Sequence, residues 1–316
     1  LRPDEPALKK HVAWGGAFLA VLTLGLASMT VGVRPSEASI LADKKAEKKK
    51  AKTAGGRSDS TEQGASSAKA PSRFRAVVIA DFGSNLFPVG TEQYSAGSSL
   101  LLIPSYQLSS DWSVGLLASA YKEVTDLREF TLFDPSLRIS YRAIPLSPTV
   151  SVAPALWAAL PVSERSRERD SLIVSVRPAL RFAADFSKSK LPVIQHSSVS
   201  WETGIARAFH QYSNSTTGAV NTAWRLSNWF NLYYGPGEKW FLSGDFIRNT
   251  GWSYQGVGRH SFSMGQTVGY RFTPSLTLSV GHTNEGDVLR ANGLTSNIAI
   301  FDSTTSRVFT SLMVIF

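Results

Sequence analysis

The chain contains no cysteine in its 316 residues. Disulfides, thiolate metal sites and an N-terminal lipid-modified cysteine are excluded together. Histidine is scarce as well. His11 lies in an N-terminal apolar segment, and His196, His210, His260 and His282 show no paired ligand spacing, so no metal site is expected. There is no phosphate loop and no dinucleotide fingerprint, and no cofactor is expected. Gly256-Val257-Gly258 is only part of a glycine-rich loop. Between Ala42 and Pro71 there is no aromatic or large aliphatic residue, and from Arg73 onward there is no helical period.

Acidic residues are fewer than basic ones, but the surplus is unevenly placed. The net charge is 33 − 24 = +9. Residues 73–316 hold 21 basic and 17 acidic side chains, a net of only +4, and the rest lies nearer the N-terminus. A nucleic-acid-binding domain would carry its basic residues on a folded face, so nucleic acid is not an expected partner.

What is present begins with an address. Lys9 and Lys10 precede an apolar run from Ala13 to Val33, Pro35 breaks it, and Ser36-Glu37-Ala38 offers small residues at a cleavage site. This layout predicts a secretory signal peptide over residues 1–38. A retained transmembrane helix is the competing reading, since about twenty apolar residues can span a bilayer. Residues 39–72 read as a disordered basic periplasmic linker, with Lys44, Lys45, Lys48, Lys49, Lys50 and Lys52 in one run.

From Arg73 to Phe316 the chain repeats segments of alternating apolar and small or polar residues. The predicted strands are 73–82, 98–108, 111–122, 132–144, 148–161, 171–186, 198–210, 219–234, 238–249, 260–272, 275–285 and 303–316. Leu172, Val174, Val176, Pro178, Leu180 and Phe182 share one face, while Ser175, Arg177, Ala179, Arg181 and Asp185 share the other. The links alternate in length. Ser109-Ser110, Pro145-Leu146-Ser147, Gly235-Pro236-Gly237 and Thr273-Pro274 are short; 83–97, 123–131, 162–170, 211–218, 250–259 and 286–302 are long. The link 187–197 is an exception on the short side. Short turns at one end and long loops at the other are the pattern of a transmembrane β-barrel. The expected fold class is therefore all-β: an antiparallel up-and-down barrel of about twelve strands.

Aromatic placement points the same way. Tyr106, Trp112, Phe186, Trp201, Trp240, Tyr270 and Phe272 fall near the short-turn ends. Phe82, Phe133, Phe209, Trp224, Phe246 and Phe262 fall near the long-loop ends. Amphipathic rings favour the two headgroup levels, which predicts two girdles.

At the C-terminus Val308, Thr310, Leu312, Val314 and Phe316 alternate up to a terminal phenylalanine. This resembles the terminal-strand signal of Gram-negative outer-membrane β-barrel proteins. The resemblance implies recognition by the barrel-assembly machinery. It implies a place in the bacterial outer membrane among lipids and lipopolysaccharide. It fixes no subfamily and no oligomeric state.

Pro104, Pro135, Pro154 and Pro178 sit inside predicted strands, where each lacks a donor for the ladder. If the fifth and sixth segments pair about Ser166, Pro154 and Pro178 oppose each other, and a gap or bulge is expected between them.

By parity the face turned away from lipid carries Arg138, Arg142, Arg177, Arg181, Arg225, Arg271 and Arg307, with Asp134, Asp185, Glu202 and Asp245. Small residues accompany them, among them Ala179, Gly204, Ser263, Gly265, Gly269 and Gly281. Arginines biasing a bore toward anions give an outer-membrane channel or transporter for small anionic solutes. In outline this is similar to twelve-stranded porins for acidic sugars, from which no residue is carried over. The alternatives are a structural or adhesive barrel whose arginines and acids pair to fill the lumen, and a lipid-modifying enzyme. The enzyme reading has no matching serine near His282 and Asn284, so no catalytic residue is assigned. Ser163 to Asp170 is a mixed-charge loop able to meet lipopolysaccharide phosphates or to stand solvated. Arg207 is an anomaly: it falls on the apolar side with Ile205 and Phe209, as a slip in parity would produce.

Overall fold

The computed structural model describes residues 72–125, 128–187, 189, 194–290 and 293–316. The predicted signal peptide lies outside them, as does the linker up to residue 71. The strands are β1 (Phe74–Asn85), β2 (Ala96–Gln107), β3 (Trp112–Glu123), β4 (Phe130–Leu132), β5 (Ser136–Tyr141), β6 (Ile144–Pro145) and β7 (Val150–Ala159). They continue as β8 (Leu172–Asp185), β9 (Ser197–His210), β10 (Thr222–Tyr234), β11 (Trp240–Ser253), β12 (Gly258–Thr273), β13 (Leu276–Asp287) and β14 (Arg307–Ile315).

Each strand pairs antiparallel with its neighbours, and β1 pairs with β14, from Val77↔Ile315 to Asn85↔Arg307. The sheet therefore has no edge. Strands β4, β5 and β6 are pieces of one wall strand lying between β3 and β7. The closed barrel has 14 − 2 = 12 wall strands. Closure satisfies the backbone within the wall, which is the condition for crossing hydrocarbon.

Alternation decides which residues face out. Leu100 and Leu102 are 43% and 41% exposed, whereas Leu101 between them is 3% exposed. Phe182, Trp201 and Phe230 form an outward stack across β8, β9 and β10, with centroids 5.5 and 5.8 Å apart. Phe74, Tyr106, Trp112, Trp240 and Phe272 are exposed at the short-turn end, and Phe82, Phe209 and Trp224 toward the other. Two expected members of the second girdle do not belong to it. Phe133 is 4% exposed and Phe262 is 1% exposed. Phe133 lies in the break between β4 and β5. Phe262 lies under the β13–β14 loop, described below.

Five of the six long links remain loops. The link 250–259 does not, because β11 runs to Ser253 and β12 starts at Gly258. The chain reverses through Gly256, whose φ of +78° only glycine adopts without strain.

All four prolines interrupt a ladder, but Pro154 and Pro178 do not oppose each other. Pro154 pairs with Leu180 and Pro178 with Leu156, in an unbroken β7–β8 ladder. The expected gap between the fifth and sixth segments is therefore absent. It lies instead on the far side of each strand. The β8–β9 ladder skips from Val176↔Arg207 to Ala179↔Gly204. The partners of β7 shift between Ser140↔Ala155 and Ile144↔Val152. The β2–β3 ladder skips Ile103 and Pro104, and Pro135 falls between β4 and β5. The reason is geometric. A residue in an antiparallel strand turns its N–H and C=O toward the same neighbour, so a proline costs a donor on one side only.

Candidate functional site

The lumen wall is read from the ladders. On β8 the inward residues are Arg177, Ala179 and Arg181; on β9, Ser198, Ser200, Glu202 and Gly204; on β10, Arg225, Ser227, Trp229 and Tyr233. Trp157 of β7 stands opposite Arg138 on one side and Arg177 on the other. Both guanidinium groups lie over its ring, 4.9 and 5.2 Å from the centroid. Arg177 Nη2 donates to Glu202 Oε1 at 2.6 Å. Arg181 donates to Ser200 Oγ at 3.3 Å and lies 6.0 Å from the Trp229 ring centre. Arg225 stands between Ala206 and Gly251, two small neighbours. Four arginines thus share the arc from β5 to β10 with one buried carboxylate, Glu202. Arg271 of β12 donates to the Tyr233 hydroxyl and lies 5.6 Å from the Phe241 ring centre.

The arc from β11 round to β1 has a different character. It carries the acids Asp245, Glu285 and Asp81 together with Arg75, Arg271 and Arg307, among serines, threonines and glycines. Ser99 Oγ donates to Asp81 Oδ2 at 3.2 Å. Two large rings here lie against glycines: Phe241 over Gly269, and Phe309 between Gly83 and Gly281. A Cβ at Gly269 or Gly281 would collide with those rings. The glycines thereby leave room on the wall for those rings. Beside this arc, Val77, Ile79, Leu101 and Leu117 form an inward apolar cluster joined by Ile103, Trp157, Met313 and Ile315.

Two of the predicted lumen residues lie elsewhere. Arg142 follows β5 and pairs with Asp111 at 3.0 Å, largely exposed on the short-turn rim. Asp134 lies between β4 and β5 and accepts the N–H groups of Val162 (2.9 Å) and Ser163 (2.8 Å) and the Ser166 hydroxyl. It ties down the β7–β8 loop instead of lining a bore. Asp185 keeps its inward position at the end of β8, opposite Ser198, and its carboxylate accepts the Ser187 N–H at 2.9 Å. Arg138, Arg177, Arg181, Arg225, Arg271, Arg307, Asp185, Glu202 and Asp245 face inward. The parity reading had left Asp81, Glu285 and the lumen aromatics out of the site.

The remaining sequence signals also have definite surroundings. In the β7–β8 loop Arg165 and Arg169 approach Asp170 at 3.5 and 3.8 Å, and Arg167 approaches Glu168 at 3.4 Å. Val308, Leu312 and Phe316 are exposed on the outer face. His260 Nδ1 is 3.1 Å from Thr250 Oγ1. His282 Nδ1 is 3.0 Å from Gln266 Oε1, and Phe301 stacks on the His282 ring at 5.7 Å. Asn284 donates to Ala299 O at 2.6 Å and accepts from Thr305 Oγ1 at 2.6 Å. The loop between β13 and β14 therefore folds down over the outer face of β12 and β13, covering Phe262 and Asn284. Asp302 in this loop accepts the Thr304 N–H (2.8 Å) and its hydroxyl (2.5 Å). Those two bonds hold its carboxyl below the usual range.

No family profile and no curated protein matches the sequence. By shape the chain is similar to an outer-membrane channel from Pseudomonas putida F1. The TM-score is 0.54 at 12% identity, over 81% of this chain and 100% of that one. Two porins match less well: the NanC porin (TM-score 0.48, 9% identity, 76% and 98% covered) and the KdgM porin (0.44, 11%, 76% and 99%). At such identities the likeness is one of fold: a closed twelve-stranded antiparallel barrel of the outer-membrane type.

Proposed function

We propose that this chain is a bacterial outer-membrane channel passing small anionic solutes through an arginine-bearing lumen. The observation that carries the reading is the β5–β10 arc. There Arg138, Arg177, Arg181 and Arg225 face inward with Glu202 among them and Asp185 at the end of β8. A wall richer in arginine than in carboxylate attracts anions and repels cations from any water that passes it. Rings seated over Gly269 and Gly281 favour passage, because they occupy space that the glycines leave at the wall. The outward apolar belt between two aromatic levels supports a bilayer setting, with the short turns and the termini of the barrel segment on the periplasmic side. The exposed, alternating terminal strand suits recognition by the assembly machinery. An enzymatic reading draws no support from His282, which engages Gln266 and lies against Phe301.

One observation favours the filled-lumen alternative: the apolar cluster around Ile79 and Leu101 occupies inward positions. The two readings part in a planar bilayer. The full chain, folded and inserted, is expected to give stepwise currents with an anion-favouring reversal potential under a salt gradient. A barrel that shows heat-modifiable gel mobility yet stays electrically silent would overturn the channel and leave the structural role.

A further inference from the structure

Arg207 has no place in the lumen, and the register shows that its outward position is no slip. The β9–β10 ladder is continuous from Ser197↔Tyr234 to Arg207↔Trp224. Arg207 therefore shares the outer face with Val199, Trp201, Ile205 and Phe209, all of them exposed. It lies three residues from the loop end of β9, beside two aromatics of the loop-end girdle.

Its surroundings are built. The guanidinium carbon lies 4.8 Å from the Trp224 ring centre, 5.2 Å from Tyr254 and 5.6 Å from Phe209. Tyr254 comes from the β11–β12 turn, reaching across the top of β10. Its hydroxyl donates to Ala208 O at 3.0 Å and accepts the His210 N–H at 3.2 Å, where the β9–β10 ladder ends. The ring is thus fixed before any ligand arrives. The direct polar partner of the guanidinium is Ala223 O, 3.5 Å from Nη1. Among the described residues no carboxylate lies within ion-pair distance of it.

A guanidinium on a lipid-facing wall is costly, and ring faces offset only part of that cost. They contact the faces of the cation and leave its in-plane N–H groups to find acceptors. Arg207 has five such donors in a planar fork, and one of them is directed at Ala223. The acceptor that matches a fork is a carboxylate or a phosphate. At headgroup level, flanked by Ile205 and Trp201 where acyl chains pack, the available anion is a lipid phosphate.

We propose that Arg207, Phe209, Trp224 and Tyr254 form a binding site for the phosphate group of a phosphorylated lipid in the loop-side leaflet. The site requires only that the barrel span a bilayer; it does not depend on conduction through the lumen.

The test uses the folded full chain in dodecyl maltoside, stripped of lipid and titrated with diphosphoryl lipid A, with bound lipid counted by native mass spectrometry. Arg207→Gln is expected to weaken binding about tenfold, the scale of a lost charge-assisted hydrogen-bond pair. Arg207→Lys, which keeps the charge and loses the fork, is expected to fall between the two, and it serves as the test if the glutamine variant does not fold. Arg248→Gln removes an exposed outward guanidinium outside the cage and should leave binding at the wild-type level. Three outcomes would overturn the proposal: equal losses in the Arg207 and Arg248 variants, showing diffuse charge; equal binding of dephosphorylated lipid A; or inorganic phosphate displacing the lipid at matching concentration, showing a site for the free ion.

Discussion

Glu202 is the side chain whose removal says most about the lumen. It is a buried carboxylate set among four arginines, bonded to Arg177 at 2.6 Å. Glu202→Gln keeps the shape and removes one negative charge. A monovalent anion passing roughly 5 Å away is repelled by that charge by about 0.8 kcal/mol in bulk water, and by about 3 kcal/mol at an effective dielectric constant of about 20. The smaller figure alone changes relative permeability roughly fourfold. The glutamine variant should therefore raise the anion-to-cation permeability ratio at least about fourfold, by the same estimate. Arg177→Gln should lower the ratio by a similar factor. The double variant should return close to wild type, because the pair is nearly neutral at a distance. Reversal potentials in asymmetric salt measure all three, with gel mobility confirming that each barrel has folded. Single variants that both leave the ratio unchanged, or that shift it in the same direction, would show that ions do not pass this wall.

Other perturbations address the packing and the loops. Gly281→Val should push the Phe309 ring off the wall, costing about 1–3 kcal/mol by overpacking and lowering single-channel conductance while preserving selectivity. Urea unfolding in vesicles and bilayer recording would check the two effects. Asp134→Ala releases the Val162 and Ser163 N–H groups and the Ser166 hydroxyl. Trypsin should then cut the β7–β8 loop after Arg165, Arg167 or Arg169 faster than in the wild type. The Asp302 carboxyl titrates below its usual range when folded, so its contribution is present above the unfolded value of about 4 and is lost as pH falls through the lower folded value. Hydrogen exchange in residues 297–306 should accelerate below that range, and Asp302→Asn should remove the pH dependence.

The wall strands were legible wherever one face was apolar and the other was not. Residues 172–185 alternate cleanly, and their inward set follows directly from parity. Parity is silent where both faces are apolar, as in Leu100-Leu101-Leu102-Ile103, so the inward Leu101 and Ile103 were not distinguishable from their outward neighbours. It also fails where a strand breaks. Asp134 and Arg142 flank the interrupted pieces around β5, and their side chains answer to a loop and a rim instead of the lumen. Asp81 and Glu285 sit at inward positions too, but Asp81 follows an apolar run and Glu285 ends a predicted segment, where alternation carries little weight. The cover over Phe262 and Asn284 depends on where a long loop folds back, which no local pattern specifies. Arg207 shows the converse: the alternation was right, and the misfit residue marked a cage made by Tyr254 from a different hairpin.

The prolines divide the wall into unequal arcs. Every ladder interruption they cause lies between β2 and β9, at Pro104, Pro135, Pro154 and Pro178. From β9 through β14 to β1 the ladders are unbroken except for shifts at Thr222 and Arg271, close to strand ends. Fewer cross-strand bonds make the first arc the more compliant one, and it is this arc that carries Arg138, Arg177 and Trp157. The arginine–tryptophan cluster and mechanical give therefore coincide: the wall around Trp157 can flex, while the opposite arc, with its aromatics set against glycine, keeps its shape.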